Sequence, residues 1–249
     1  MRIIKRYLPR IASIQLLVLL FSMILSLPAL AAKECVILLH GMGRSSDSMQ
    51  QIESALLAES YIVVNVDYPS TQYTIQSLAK KFIPPAIRQC EVAGSDTFNF
   101  VTHSLGAILL RYLLQDYSIQ GLGKIVMLSP PNQGSEVADT LVGWAPYFWI
   151  MGPAGQQLGA GEGGLPKSLK PVDGTIGIIT GDVSYDPWFS TILPGADDGK
   201  VSVESARLAE MQDFLVVDSG HAFIMKNDRV IAQILLFLKN GRFDHAAQD

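Results

Sequence analysis

Short apolar runs alternate with amphipathic stretches through most of the chain. The apolar runs predict strands buried on both faces, because few polar residues interrupt them. They cover residues 36–39, 61–66, 98–103, 124–129, 175–180 and 214–217. The amphipathic stretches predict helices near residues 47–60, 74–90, 107–114, 203–210 and 228–239. A Pro84-Pro85 pair must kink or split the second helix. The alternation predicts an α/β fold with a mainly parallel sheet, helices on both faces and ligands at the carboxyl ends of the strands.

Residues 131–172 break this rhythm with an insertion at the predicted ligand-binding edge. So long an insertion at that edge predicts a cap over a site. The cap contains Trp144, Phe148 and Trp149, for which two interpretations stay open. They line an apolar substrate pocket, or they only pack the cap onto the body of the domain.

The first thirty-one residues differ from the rest of the chain. A basic start is followed by an apolar run over residues 11–27 and by the small residues Ala29-Leu30-Ala31. This pattern predicts a secretory signal peptide over residues 1–31, cleaved to leave one domain over residues 32–249 in the periplasm or outside the cell. The competing interpretation is an uncleaved membrane anchor, since the run approaches the length that spans a bilayer.

Composition narrows the class of protein. The chain has 249 residues, of which 49% are hydrophobic, so one domain can bury a sizeable core. The net charge is −4 and the body of the chain has no basic run, which argues against a nucleic-acid partner. The two cysteines, Cys35 and Cys90, predict a disulfide if the protein reaches an oxidising compartment. The alternative is two unpaired cysteines, one of them buried.

The clearest chemical signal is the sequence Thr-His-Ser-Leu-Gly at residues 102–106. An apolar strand precedes it and an amphipathic helix follows, which is the setting of a nucleophile elbow with Thr102 in place of the first glycine. The pattern predicts Ser104 as a nucleophile on a strained turn. The alternative is a serine that only caps the helix.

A serine nucleophile needs a base, and the base needs a carboxylate on its other nitrogen. Of the four histidines, His221 follows a late strand on a loop downstream of Ser104 and is the predicted base. The acid must lie between the two in the chain, and Asp182, Asp197 and Asp198 fit that order.

An oxyanion hole completes such a site. One donor is the backbone N–H after the nucleophile, at Leu105. The other is expected on the His-Gly-Met-Gly loop at residues 40–43, where the Met42 N–H is the best candidate.

Five motifs resemble, in order along the chain, those of α/β-hydrolases of the bacterial lipase and esterase group, with a more distant likeness to GPI-inositol-deacylase-type enzymes. They lie at residues 40–44, 102–106, 131–135, 198–201 and 220–221. In similar lipases an Asp-Gly-x-Val segment supplies the acid a little over twenty residues before the histidine, and here Asp198 precedes His221 by 23. The resemblance therefore implies the triad Ser104, Asp198 and His221, with Met42 and Leu105 as the oxyanion hole. The turn that Gly199 permits also favours Asp198, although Asp182 stays a rival.

These observations predict an exported serine hydrolase that cleaves carboxylic esters of apolar acyl chains. The expected partner is a small-molecule or lipid ester, with transient contact between the cap and a lipid surface. No cofactor and no metal is expected, since no His/Cys/Asp cluster has the spacing of metal ligands. The alternatives are an acyltransferase on the same fold and a non-catalytic lipid-binding protein.

Overall fold

The structure is a computed structural model that describes residues 33–246. The predicted signal peptide lies outside the described residues. The strands are β1 Cys35–Leu39, β2 Ile62–Val66, β3 Phe98–His103, β4 Leu122–Leu128, β5 Thr175–Gly181 and β6 Asp213–Val217. The helices are α1 Gln50–Ala58, α2 Ile75–Val92, α3 Leu105–Leu113, α4 Glu136–Leu141, α5 Ala145–Gly155, α6 Leu165–Ser168, α7 Pro187–Ser190 and α8 Asp228–Asn240. No helix within 33–246 has the length and apolar character needed to cross a membrane.

The six strands form one parallel sheet in the order β2-β1-β3-β4-β5-β6. Strand β1 shows why the sequence is apolar at every position. Its residues Cys35, Ile37 and Leu39 pack in the core that includes α2 and α3, whereas Val36 and Leu38 pack in the core that includes α1 and α8. Both faces of the sheet are therefore covered, which confirms the predicted α/β fold.

A disulfide joins the start of β1 to the last turn of α2. Cys35 is the first residue of β1, Cys90 lies near the end of α2, and the structure bonds their sulfurs as predicted. Both residues are fully buried. The bond ties the first strand to the helix that leads into β3.

One local prediction was wrong, and of the two effects expected of the proline pair one does not occur. Residues 203–210 form consecutive turns rather than a helix, because the carbonyls that a helix would use accept hydrogen bonds from the cap. The Gln133 N–H donates to the Ser205 carbonyl at 2.9 Å, and the Asn132 amide donates to the Ala206 carbonyl at 2.8 Å. The proline pair does not split α2. The carbonyls deprived of donors belong to exposed residues 80 and 81, where solvent can hydrate them.

The predicted cap, residues 131–172, contains α4, α5 and α6 and lies between β4 and β5. Arg111, a buried residue of α3, fastens both ends of this segment. Its guanidinium donates to the carbonyls of Asn132 at 3.0 Å, Pro166 at 3.4 Å and Leu169 at 3.4 Å. The cap is therefore held by the helix that follows the predicted nucleophile.

Candidate active site

Ser104 lies on a sharp turn between β3 and α3. Its φ of 51° and ψ of −116° place a non-glycine residue in a strained region of backbone conformation. Gly106 makes the turn possible, because a Cβ at that position would lie 2.5 Å from the carbonyl oxygen of Leu39. Thr102 is accommodated where a glycine is more usual, since its buried hydroxyl donates to the Val126 carbonyl at 3.5 Å.

Three residues from separate parts of the chain form one hydrogen-bonded series. The Ser104 Oγ lies 3.1 Å from His221 Nε2, and His221 Nδ1 lies 2.8 Å from Asp198 Oδ2. This is the order of nucleophile, base and acid that serine hydrolysis needs. The structure thus brings together the three residues predicted from the motifs, while their catalytic roles stay predictions.

The Asp198 carboxylate is fixed by its own loop. Its Oδ1 accepts hydrogen bonds from the backbone N–H groups of Lys200 at 3.1 Å and Val201 at 2.9 Å, which leaves Oδ2 for His221. Gly199 permits this turn with a φ of 92°. Burial alone would raise the pKa of Asp198, but the charge and hydrogen bond of His221 and the Val201 N–H outweigh it. The pKa of Asp198 is therefore lowered, and the group stays ionised.

The two rival acids lie elsewhere. The Asp197 Oδ1 accepts from the Ser190 hydroxyl at 3.0 Å and from the Gly199 N–H at 2.7 Å, so Asp197 stabilises the turn next to Asp198. Asp182 follows β5 and is exposed. Of the three, it is Asp198 whose carboxylate bonds to His221.

The predicted oxyanion donors flank Ser104. Leu105 is the first residue of α3, so its N–H lies at the helix N-terminus, where the backbone donors of the first turn have no intrahelical partner. Met42 lies on the loop after β1 and lines the same cavity as Ser104. Within residues 33–246 neither N–H donates to a protein acceptor. Neither N–H is therefore engaged by a protein acceptor, and their role as oxyanion donors stays a prediction.

A largely apolar cavity of about 440 Å³ contains Ser104 and His221 in its wall. Its volume lies within the range of small-molecule sites. The cap supplies one apolar side of it, through Val137, Ala138, Leu141, Tyr147, Met151 and Leu158. Further lining residues come from the segments after β5 and β6, among them Tyr185, Asp186, Phe189, Lys200 and Phe223.

The predicted pocket residues Trp144, Phe148 and Trp149 do not line this cavity, which corrects the prediction. Their exposed fractions are 58%, 48% and 79%. The reason is the orientation of α5, because Tyr147 and Met151 are four residues apart on the helical face that turns inward. Phe148 and Trp149 lie on its other faces and Trp144 lies just before its first residue, all three in contact with solvent. The sequence analysis predicted neither α5 nor the face of α5 that the domain covers.

His103 contributes a contact that the sequence analysis missed. The ring is buried between the elbow and the histidine loop, and its Nε2–H donates to the backbone carbonyl of His221 at 3.1 Å. Burial and the neighbouring His221 lower the pKa of His103 well below its ordinary value, so the ring is neutral. Since the contact spans 118 residues of sequence, no local pattern could have indicated it.

The described residues contain no group of three or more His, Cys, Asp or Glu side chains able to hold a metal ion. The side chains of Ser104, His221 and Asp198 can carry out proton transfer and nucleophilic attack. A serine next to a base that a fixed carboxylate orients can attack a carbonyl carbon. Two N–H donors beside it can stabilise the oxyanion that forms.

A sequence model of the family described as palmitoyl protein thioesterase matches residues 35–157. No curated protein matches the chain. Among solved structures, the mature form of the lipase BlEst2 from Bacillus licheniformis superposes with a TM-score of 0.69 at 19% identity, over 84% of this chain and 93% of that one.

Two further solved structures share the fold. The phospholipase PlaB from Legionella pneumophila matches with a TM-score of 0.65 at 18% identity, over 85% of this chain and 60% of that one. A metagenomic carboxyl esterase matches with a TM-score of 0.61 at 15% identity, over 78% of this chain and 66% of that one. Because the sequence identities are low, these similarities show a shared fold alone.

Proposed function

We propose that this chain, which shares the fold of bacterial lipases and esterases, is an exported serine hydrolase of carboxylic esters with apolar acyl chains. The observation that carries the proposal is the series Ser104–His221–Asp198 in the wall of an apolar cavity.

In the proposed reaction the Ser104 oxygen attacks the ester carbonyl while His221 Nε2 takes its proton. The Asp198 carboxylate holds the proton on His221 Nδ1 and stabilises the imidazolium. The carbonyl oxygen becomes an oxyanion that accepts from the Met42 and Leu105 N–H groups. His221 then protonates the departing alcohol, and a water molecule, activated by the same histidine, releases the acid from Ser104.

The substrate class follows from the walls of the cavity. The cap residues that line the cavity are mostly apolar and suit an acyl chain, whereas the Lys200 Nζ and the Asp186 Oδ2, 3.1 Å apart, add an ion pair to the lining. Large exposed side chains lie on the elements that line the cavity, with Trp149 of α5 79% exposed and Trp188 of α7 81% exposed. Exposed apolar groups near a lipid-binding cavity favour contact with aggregated or membrane lipid.

Export is the part of the proposal that rests on sequence alone. The basic start, the apolar run and the Ala-Leu-Ala site within residues 1–31 are its support. The Cys35–Cys90 disulfide is consistent with it, because such bonds persist in oxidising compartments.

A thioester is the second candidate substrate, because the palmitoyl protein thioesterase model matches the segment that contains the oxyanion loop and the elbow. The same attack on a carbonyl carbon would release a thiol instead of an alcohol. An acyltransferase would share the acyl-enzyme and differ in the acceptor. Substrate panels therefore have to separate the leaving group from the acceptor.

The deciding experiment uses protein expressed from the full-length chain and left to natural processing. Hydrolysis is measured on p-nitrophenyl esters of two to sixteen carbons and on thioesters of the same acids, with and without an added alcohol acceptor. We expect Ser104→Ala to lose nearly all turnover, and Ser54→Ala, an exposed serine of α1, to retain it. Intact mass after fluorophosphonate treatment should show one adduct in the parent chain and none in Ser104→Ala.

The outcomes separate the candidates. Turnover in Ser104→Ala near that of the parent chain would refute the serine mechanism. Preference for thioesters would establish the second candidate. Transfer of most acyl groups to the alcohol would indicate an acyltransferase.

A further inference from the structure

Apart from its histidines, the cavity wall contains four residues with a formal charge: Arg44, Asp186, Asp198 and Lys200. The Asp198 carboxylate is buried, with one oxygen bonded to His221 and the other to its own loop. Asp186 and Lys200 form an ion pair with each other. Arg44 is exposed and forms no ion pair within residues 33–246. Of these four side chains, Arg44 is therefore the one left available to a charged ligand.

Lys200, the other cation of the wall, shows the contrast. Its Nζ lies 3.1 Å from the Asp186 Oδ2 and 3.7 Å from the centroid of the Phe189 ring. A carboxylate and an aromatic face thus already neutralise and cover the Lys200 ammonium group. A ligand that used Lys200 would have to break these contacts, whereas a ligand that used Arg44 would break no ion pair.

The backbone of Arg44 is fixed beside the predicted oxyanion donor Met42. The Arg44 N–H donates to the Gly41 carbonyl at 3.4 Å, which closes a turn around Met42. The Gly43 N–H donates to the Ser70 hydroxyl at 2.9 Å and ties the same turn to the segment after β2. The long side chain of Arg44 therefore starts from a defined place next to the reacting carbonyl of a bound ester.

The positive charge of Arg44 also acts on the nucleophile elbow. Burial and the neighbouring His221 lower the pKa of His103, and the charge of Arg44 acts in the same direction. A guanidinium presents several N–H donors in one plane, and this arrangement matches the paired oxygens of a phosphate or a carboxylate. The cavity thus combines apolar cap residues with one unpaired group suited to an anion.

We propose that Arg44 binds an anionic group, a phosphate or a carboxylate, on the alcohol part of the ester. The inference rests on the proposed function and names a substrate class for it. Since the proposed acyl chain is apolar and is matched by the apolar cap residues, the charged group belongs to the alcohol. The chain as a whole has a net charge of −4, so its overall field would repel anions rather than attract them.

The test compares four octanoyl esters at concentrations below those at which they aggregate, so that no lipid surface contributes. The neutral ester is monooctanoylglycerol, and the cationic one is octanoylcholine. The two anionic esters are octanoylglycerol phosphate and octanoyl glycolate, which carry a phosphate and a carboxylate. The kcat/KM of each charged ester is divided by that of the neutral ester. Comparing this ratio between a variant and the parent chain cancels the intrinsic reactivity of each alcohol.

We expect Arg44→Gln to lower the anionic-to-neutral ratio about tenfold, mainly through KM, because a contact away from the reacting carbonyl binds substrate and transition state alike. Arg44→Lys should give an intermediate ratio, since it keeps the charge but not the planar set of donors. Arg44→Glu should lower the ratio further and raise the cationic-to-neutral ratio. The matched control is Arg88→Gln, at an exposed arginine of α2 outside the cavity wall, which should keep the ratios of the parent chain.

Equal anionic-to-neutral ratios in Arg44→Gln, Arg88→Gln and the parent chain would overturn the inference, and so would an equal fall in the two variants. A loss for both anionic esters would support a site for any such anion, whereas a loss confined to octanoylglycerol phosphate would identify the ligand group as a phosphate. If the parent chain hydrolyses none of the esters, or if Ser104→Ala retains turnover, the proposed function itself fails. Hydrolysis of the neutral ester with unchanged ratios in every variant would remove this inference alone.

Discussion

Replacing Asp198 by asparagine should disable the proposed triad with little change in shape. The carboxylate Oδ1 accepts from two backbone N–H groups, so the amide oxygen in Asp198→Asn must take that place and the NH₂ group must face His221. The imidazole then accepts at Nδ1 and carries its proton on Nε2. In that tautomer His221 donates toward Ser104 and cannot take its proton.

The expected loss is up to about 10⁴-fold in kcat, equivalent to about 5 kcal/mol of activation free energy. The KM should change little, because no atom of the cavity wall other than this carboxylate is altered. The matched controls are Asp197→Asn, which affects the adjacent turn, and Asp182→Asn, which alters an exposed residue.

The assay is p-nitrophenyl ester hydrolysis under saturating substrate, with circular dichroism to check that each variant is folded. Asp197→Asn should lose stability more than activity, and Asp182→Asn should resemble the parent chain. If folded Asp198→Asn retains more than about a tenth of the parent kcat, the assignment of the acid is wrong. A folded Asp182→Asn without activity would transfer the role to that residue.

Three other predictions follow from the geometry. Met151→Ala should enlarge the cavity and so raise kcat/KM for long acyl chains relative to short ones. Trp149→Ala, at an exposed position, should leave that ratio unchanged for monomeric esters and reduce activity on vesicles. Equal effects of both variants on the monomeric esters would contradict the cavity lining described. Replacing both cysteines by serine should lower the free energy of unfolding by about 4 kcal/mol in urea, from the closed loop of 56 residues; an unchanged midpoint would argue against this. Burial lowers the pKa of His40 and of His103, so below about pH 6.5 the unfolded chain binds more protons than the folded chain. As the pH drops further, the free energy of unfolding should fall by up to about 1.4 kcal/mol per pH unit for each ring. Urea midpoints should therefore be lower at pH 6 and 5 than at pH 7.

The strands were predictable because a parallel strand buried on both faces must be apolar at nearly every position, as β1 is. The elbow was predictable because its geometry restricts the residues on either side of Ser104, and Gly106 meets the Leu39 carbonyl as that geometry requires. In both cases a structural requirement restricts the residues of one short segment, so the sequence of that segment indicates its structure.

The features that the sequence analysis did not predict depend instead on residues far apart in the chain. The turns at 203–210 replace a helix because the distant residues Asn132 and Gln133 donate to their carbonyls. The inward face of α5 is set by what the domain packs against it, and a helix with apolar residues on several sides does not indicate which face that is. His103 likewise depends on a partner 118 residues away. Long-range hydrogen bonds and docking faces leave no periodic pattern in the chain.

The loops of the site are tied to one another by hydrogen bonds. The His221 N–H donates to the Asp198 carbonyl at 2.9 Å, and the His103 ring donates to the His221 carbonyl. The proposed acid, base and nucleophile therefore form a unit on the strand ends, held by backbone groups that substitutions elsewhere do not remove. The cap meets this unit through cavity side chains such as Met151, through the carbonyls that Arg111 binds, and through the Ser135 hydroxyl, which donates to the Lys200 carbonyl at 3.2 Å. Changes to apolar cap side chains in the cavity wall should therefore alter which acyl groups fit while the chemistry at Ser104 persists, which is why substrate preference and catalytic competence have to be tested by different variants.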